Sequence, residues 1–249
     1  MIATIASREF RSLFLSPLAW SILAIVQLIL SFFFLTSLEY FVNIQNQLGM
    51  MPNAPGLTQI VVGPLFSVAS IVLLFVVPLL TMRLISGDRH NNSLSLLLSA
   101  PISMTEIVVG KYVGVLSFLC VMLTLIALMP LSLLFGATLD MGVYLCGLLG
   151  LFLVVASLAA IGLFISSMTA HPTVAAVVSF GIMLILWVFD LFSATGDKTE
   201  LTAYISMLSH FHPMLEGRFN TRDLIYYLLF ISTFIVLSIR RLDIERLQD

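Results

Sequence analysis

Long apolar runs without a single charge constrain this chain more than any other feature of its sequence. Residues 18–38 carry no charge, and as a helix with a rise of about 1.5 Å per residue they would span a hydrocarbon core of about 30 Å. Only 10% of the residues are charged, whereas a soluble domain carries roughly 25%. The chain therefore lacks the polar surface that water requires on all sides, and we predict an integral membrane protein.

Five more apolar runs follow the first, and together they predict an all-α membrane fold. Inside lipid only helices and closed barrels satisfy every backbone hydrogen bond, and runs of this length are typical of helices. The six predicted spans cover about residues 18–38, 65–82, 112–134, 143–168, 174–192 and 224–239. The sixth run is short and needs its flanks to cross a bilayer. We expect a single transmembrane domain over residues 1–249.

Basic residues are distributed unevenly between the two sides of this topology. An even number of spans places both termini on one side, and cytoplasmic loops carry an excess of Lys and Arg. One side carries Arg8, Arg11, Arg83, Arg89, Lys111, Arg240, Arg241 and Arg246. The other side carries Lys198, Arg218 and Arg222. The sequence therefore predicts cytoplasmic termini.

Residues 1–14 have the pattern of a helix that lies on a membrane surface. On a helical wheel the apolar side chains gather on one side, namely Ile2, Ile5, Ala6, Phe10 and Leu13. The opposite side carries Thr4, Ser7, Arg8 and Arg11. Such a helix lies in the interface, here at the cytoplasmic leaflet. Glu9 falls on the apolar side, where a bare carboxylate is costly, so we expect it to pair with an arginine or to contact another protein.

The two loops on the predicted external side differ in character. Residues 40–62 carry no charge and are rich in Asn, Gln, Gly and Pro, which predicts a short loop. Residues 195–223 place apolar side chains at helical spacing, namely Leu201, Tyr204, Ile205 and Leu208. We expect this part to lie on the membrane surface, as a lid or as a contact for an extracellular or periplasmic auxiliary protein.

Ionisable residues near the external ends of the spans are the candidates for a site there. Asp190 lies near the end of the fifth span, where an acid must face water, a partner or a substrate path. Its position near the interface favours snorkelling over a transport role. His210 and His212 lie near Glu216, but on a helix two residues that far apart point away from each other. We therefore expect solvated histidines and no metal site.

The most informative stretch is the predicted cytoplasmic segment at residues 83–111. It begins with polar residues that suit a turn and a helix N-cap, namely Gly87, Asp88, Arg89, His90, Asn91 and Asn92. An apolar block of Leu94, Leu96, Leu97 and Leu98 follows, and it ends at Ala100 and Pro101. A capping box of Ser103 with Glu106 then starts the helix of the third span. The pattern predicts a short apolar helix between spans two and three, which by itself fits a helix resting on the leaflet.

This segment resembles the cytoplasmic segment of ABC-2 type transporter permeases. The resemblance runs over Gly87-Asp88-Arg89, residues 92–103 and residues 106–111. In that family the segment holds the coupling helix that docks on the ATP-hydrolysing subunit. The resemblance implies a coupling contact formed by Asp88, Arg89, Asn92, Leu94, Leu96, Leu97, Leu98, Ala100 and Pro101. The family commonly has Glu and Gly-Thr where this chain has Asp88 and Asn92-Ser93, a departure that affects the detailed contacts.

Two further stretches are similar to the branch of this family associated with bacterial gliding motility. They are Arg8-Glu9-Phe10-Arg11-Ser12 with Ser16-Pro17-Leu18, and the residues 217–224 before the last span. The resemblance implies a multi-pass permease of the bacterial inner membrane that works in export or in mechanical work on external partners. It also implies two copies of a separate ABC ATPase, which hold ATP and Mg²⁺, and a second permease copy or similar chain. It does not indicate the substrate.

Sequence motifs for catalysis are absent. No Gly-x-x-x-x-Gly-Lys-[Ser/Thr] loop occurs, and Gly110-Lys111 opens a span without the upstream glycine, so we predict that this chain does not hydrolyse ATP. Scattered basic residues and a net charge of -2 argue against nucleic acid. An ion-coupled carrier or channel and a structural membrane anchor are the alternatives. A carrier would need ionisable residues in mid-membrane, and the cores of spans one, three and four lack them.

Overall fold

The computed structural model describes residues 1–48, 56–91, 103–136, 138–194 and 206–247. This part of the chain consists of helices and short connections, without strands. Six of the helices are long and apolar enough to cross a membrane. The predicted all-α membrane fold is confirmed.

The helices follow the order of the predicted spans. The membrane-spanning helices are α2 (Pro17–Leu48), α3 (Gly63–Thr81), α5 (Met104–Leu131), α6 (Met141–Met168), α7 (Pro172–Ala194) and α9 (Thr221–Arg246). The shorter helices are α1 (Ile2–Leu15), α4 (Ser86–His90) and α8 (Met207–Leu215). A π-helical turn, Thr58–Val62, precedes α3, and a 3-10 turn, Ser132–Phe135, follows α5. The short apolar helix predicted around residues 94–98 lies outside the described residues.

Several helices extend beyond the apolar runs that predict them. α2 continues to Leu48, so the loop predicted at residues 40–62 is wrong in its first part. The Asn and Gln residues there are compatible with a helix, and the first glycine or proline of that stretch is residue 49. α5 starts already at Met104, because the predicted capping box forms: Glu106 N donates to Ser103 Oγ at 3.2 Å, and Ser103 N donates to Glu106 Oε2 at 3.3 Å.

The centre of the bundle is α6, which contacts α3, α5, α7, α8 and α9. It is apolar on all sides and largely buried, as expected of a core helix. Small residues let its neighbours approach closely: a Cβ added at Gly162 would lie 2.7 Å from Cβ of Thr81 on α3. The hydroxyl of Tyr112 on α5 donates to the carbonyl of Ala156 on α6 at 2.9 Å.

The N-terminal helix α1 packs along the first turns of α5. Its inward side carries Ile5, Ala6, Glu9, Phe10 and Leu13, which all belong to the apolar side given by the helical wheel, whereas Ile2 is more exposed. Two glycines of α5, Gly110 and Gly114, make the close approach feasible. A Cβ at Gly114 would lie 2.6 Å from Cβ of Glu9, and a Cβ at Gly110 would lie 2.8 Å from Cβ of Ile5. α1 is therefore docked on α5 as well as amphipathic.

The short helix α8 packs inside the bundle, against α3, α6 and α7. Its buried residues are Met207, His210, Phe211, Met214 and Leu215. The surface location predicted for this loop is wrong for α8, because Phe211 and Met214 fill the space that Gly150 leaves on α6. The predicted apolar residues Leu201, Tyr204 and Ile205 lie outside the described residues.

Candidate functional site

A buried lysine lies at the end of the bundle that carries α1, α4 and the last turns of α9, and we call this end the terminal face. The side chain of Lys111 is 3% exposed, and its Nζ lies 2.6 Å from Glu9 Oε1 and 2.6 Å from Asp88 Oδ2. A buried ammonium needs opposite charge at short range, and here two carboxylates supply it. Three segments distant in sequence, α1, α4 and α5, therefore meet at one charged group.

Local sequence explains how these three side chains come together. The capping box fixes where α5 begins, and this sets Lys111 two turns into the helix. Gly110 and Gly114 on either side of Lys111 let α1 approach, which brings Glu9 over the lysine. Asp88 arrives from the other direction, on the short helix α4 that follows span two.

The neighbouring residue, Arg89, makes a second set of contacts on the terminal face. Its guanidinium lies 2.5 Å from Glu245 Oε2 on α9. It also donates to the carbonyls of Thr169 at 2.8 Å and Ser167 at 3.1 Å, at the end of α6. The last carbonyls of a helix have no intrahelical partner and attract positive charge, so Arg89 caps α6.

The turn between α3 and α4 is fixed by a serine on α6. Ser166 Oγ accepts hydrogen bonds from the backbone N–H groups of Ile85 at 3.0 Å and Ser86 at 3.1 Å. It donates to the carbonyl of Met82 at 3.1 Å. The turn that leads to Asp88 and Arg89 is thus attached to the central helix.

These contacts bring together some of the predicted site residues. We call the ion-paired residues of the terminal face the charged cluster, namely Glu9, Asp88, Arg89, Lys111 and Glu245. Three of them are predicted site residues: Glu9, Asp88 and Arg89. Glu9 pairs with Lys111, whereas the sequence predicted either an arginine or another protein as its partner. Arg8 and Arg11 are exposed on α1, while the Phe10 ring packs against Phe14 with centroids 4.7 Å apart. The remaining predicted coupling residues lie outside the described part of the chain: Asn92, Leu94, Leu96, Leu97, Leu98, Ala100 and Pro101.

Sequence reasoning missed Lys111 and Glu245 as members of this cluster, and Ser166 as the residue that fixes the turn before it. Lys111 had a usable signal, because it directly precedes an uncharged run and therefore needs a partner. Glu245 lies 156 residues from Arg89, and Ser166 lies 80 residues from Ser86. No local pattern relates residues at such separations.

Polar side chains also meet at the opposite end of the bundle, around α8. Asp190 Oδ1 accepts hydrogen bonds from the Ser206 hydroxyl and, at 3.2 Å, from the N–H of Leu208. Asp190 therefore holds the start of α8. Tyr227 on α9 donates from its hydroxyl to the carbonyl of Met207 at 2.7 Å.

The histidine prediction is wrong for one of the two residues. His210 is buried, and its Nδ1 lies 2.7 Å from Oδ1 of the equally buried Asp223. His212 is exposed, as expected. The two point apart as their spacing predicts, but packing of α8 into the bundle buries the side that carries His210.

The charged cluster thus includes residues from both sides of the segment at residues 92–102. Asp88 and Arg89 precede this segment in the sequence, and Lys111 follows it. Residues 3–239 match the profile of the family described as ABC-2 family transporter protein. The chain belongs to this family. An ABC-2 permease is the membrane component of an ABC transporter and is not itself an ATPase, and the family generally works with a separate ABC ATPase. The chain has no match among curated proteins.

Proposed function

We propose that the chain is the permease subunit of an ABC-2 transporter that is driven through the segment at residues 83–111. Closure of two ATPase copies, which hold ATP and Mg²⁺, pushes on residues 94–100, and the helices rock as rigid bodies to open a path. Family membership supports the permease role, and the charged cluster supports the route by which the push reaches the spans.

The observation that carries this proposal is the position of the cluster. A push on the segment acts first on Asp88, Arg89 and Lys111. Lys111 and Asp88 connect it to α1 and α5, and Arg89 connects it to α6 and α9. Opposite charges held at 2.5–2.6 Å make these connections short and stiff.

The orientation and surroundings of the chain follow from the same proposal. The terminal face is the cytoplasmic side of a bacterial inner membrane, as the excess of basic residues there indicates. A second permease copy or a similar chain packs beside this one. The exposed apolar side chains of α2, among them Ile25, Leu28 and Phe32, are available for lipid or for such a partner.

The sub-branch of the family is also part of the proposal. We assign the chain to the branch associated with gliding motility, on the two sequence stretches given above. For this chain we propose that ATP drives export or mechanical work on external partners, and that an auxiliary protein contacts the external side.

The experiment that tests the docking contact replaces one apolar residue of the segment with a charge. In the complex with its ATPase, Leu97→Asp buries an unpaired charge if Leu97 fills a groove on the ATPase, and the ATPase should then fail to co-purify. The control is Leu201→Asp in the predicted external loop, which should leave the ATPase bound. Both variants should reach the membrane at normal levels, because neither lies within a span.

Co-purification of a normal amount of ATPase with Leu97→Asp would contradict the proposal that Leu97 docks on the ATPase. Orientation is tested separately, with a single cysteine at Asn92 in intact cells. We expect protection from a membrane-impermeant thiol reagent, and labelling from outside would overturn the assignment of the terminal face to the cytoplasm.

A further inference from the structure

A groove of about 230 Å³ opens on the terminal face between α1, the start of α2 and the end of α3. We call it the α1–α3 groove. Polar side chains line one part of the groove, namely Arg8, Ser12 and Arg83. Apolar side chains line another part, namely Leu13, Leu18 and Leu79. The arginines come from α1 and from the turn after α3, so two separate elements supply positive charge to one space.

The charges that line the groove are compensated unequally. Glu9 and Asp88 also face it, and the two carboxylates share the single positive charge of Lys111, 2.6 Å from each, so these three groups together carry a net charge of -1. Arg8 and Arg83 are exposed, and neither side chain forms an ion pair or hydrogen bond with any described residue. Arg8 and Arg83 add two positive charges to that -1, so the groove keeps a net charge of +1, and their guanidinium groups are the ones that an anion can bind.

The apolar side of the groove selects among anions. Leu18 lies in α2 and Leu79 in α3, so this wall belongs to two membrane spans. A free phosphate would meet only the arginines. A phospholipid in the leaflet would meet the arginines with its headgroup and the leucines with the first part of an acyl chain.

We propose that the α1–α3 groove binds an anionic phospholipid, with its phosphate between Arg8 and Arg83. Guanidinium groups bind phosphate oxygens through paired hydrogen bonds, and anionic lipids concentrate basic segments at the cytoplasmic leaflet. The bound lipid holds α1 and the end of α3 together, beside the turn that leads to Asp88. This site does not depend on the ATPase contact proposed above.

The test is native mass spectrometry of the full chain in detergent, titrated with phosphatidylglycerol or with zwitterionic phosphatidylcholine. We expect retention of phosphatidylglycerol in preference to phosphatidylcholine. Arg8→Gln and Arg83→Gln should each weaken phosphatidylglycerol binding about tenfold, because each removes a charge-assisted contact. Arg83→Lys keeps the charge and should weaken binding less than Arg83→Gln.

The matched control is Arg241→Gln, which removes the same charge from an exposed position at the end of α9, outside the groove. This variant should bind phosphatidylglycerol like the unmodified chain. An equal loss with Arg241→Gln would overturn the proposal in favour of diffuse charge attraction. Equal retention of the two lipids would also overturn it, as would displacement of phosphatidylglycerol by equimolar inorganic phosphate, which would indicate a site for free phosphate.

Discussion

The two ends of the helix bundle both bury ionisable side chains, but they satisfy them differently. On the terminal face Lys111 has two carboxylate partners, and Arg89 has a carboxylate and two carbonyls. At the opposite end His210 and Asp223 pair only with each other, and both His210 Nε2 and Asp223 Oδ2 have no hydrogen-bond partner among the described residues. On the terminal face the one such atom of these charged groups is Arg89 Nε.

The difference indicates what each end does. The charged cluster connects α1, α4, α5, α6 and α9, which is the arrangement that the proposed transmission of a displacement requires. At the opposite end, hydrogen bonds of Asp190 on α7 and Tyr227 on α9 attach the nine-residue helix α8 to these two helices. We infer that the terminal face transmits force between helices, whereas the opposite end positions one short helix.

The largest expected loss of stability comes from removing Lys111, whose charge Glu9 and Asp88 share in the charged cluster. Lys111→Met leaves Glu9 and Asp88 facing each other without a positive charge, and breaking a buried ion pair in this way costs about 3 kcal/mol or more. We expect a loss of that size in the free energy of unfolding, measured by titration with SDS in mixed micelles. Arg241→Met removes a charge from an exposed site and should change the value by less than about 0.5 kcal/mol. A loss below about 1 kcal/mol for Lys111→Met would show that the cluster does not hold the helices together.

A smaller effect is expected from crowding the contact between α3 and the central helix. Gly162→Ala places a Cβ 2.7 Å from Cβ of Thr81, and overpacking of this kind costs about 2 kcal/mol. Gly181→Ala on α7 meets nothing within 4 Å and should be neutral or stabilise the helix by up to about 1 kcal/mol. Thermal unfolding of the two variants side by side measures the difference. Equal midpoints would contradict the close packing of α3 on α6.

The smallest effect is expected at the opposite end of the bundle. Tyr227→Phe removes the hydroxyl that donates to the carbonyl of Met207, which costs about 1 kcal/mol. Hydrogen exchange should increase in α8 and stay unchanged in α5 and α6. Tyr40→Phe, at an exposed position on α2, serves as the control. Faster exchange throughout the bundle would show that α8 supports more of the fold than this comparison assigns to it.

Local sequence patterns were sufficient to predict much of the fold. Charge-free runs located the six spans, helical periodicity identified the buried face of α1, and the capping box at Ser103 fixed the start of α5. Each of these features depends on residues within a few turns of one another. The extension of α2 to Leu48 was missed because polar side chains were interpreted as a loop, although neither glycine nor proline interrupts that stretch.

The charged cluster was only half predictable. The position of Glu9 on an apolar face required a partner, but nothing local identifies Lys111, 102 residues away. The burial of His210 likewise depends on how α8 packs against α6, which helical spacing within α8 does not determine. Pairing between distant segments is a property of the assembled bundle, so sequence indicates the need for a partner without naming it.

We propose that the contacts of Asp88 and Arg89 carry the movement of residues 94–100 to the rest of the bundle. It is tested most directly by electron–electron double resonance between spin labels at Ser7 on α1 and Asp243 on α9, both exposed. The label distance is measured in the complex with the ATPase, with and without a non-hydrolysable ATP analogue. The double variant Asp88→Asn with Arg89→Gln removes the ion pairs with Lys111 and Glu245. It leaves Lys111 paired with Glu9. Asp140→Asn, which keeps a capping residue at the start of α6 on the opposite face, is the control.

We predict that the analogue shifts the distance in the unmodified chain and in Asp140→Asn. In the double variant the shift should be lost while the ATPase stays bound, since the side chains of Asp88 and Arg89 contact residues of this chain and the apolar block that we propose as the docking contact is unchanged. An unchanged shift in the double variant, with the ATPase bound, would contradict the account.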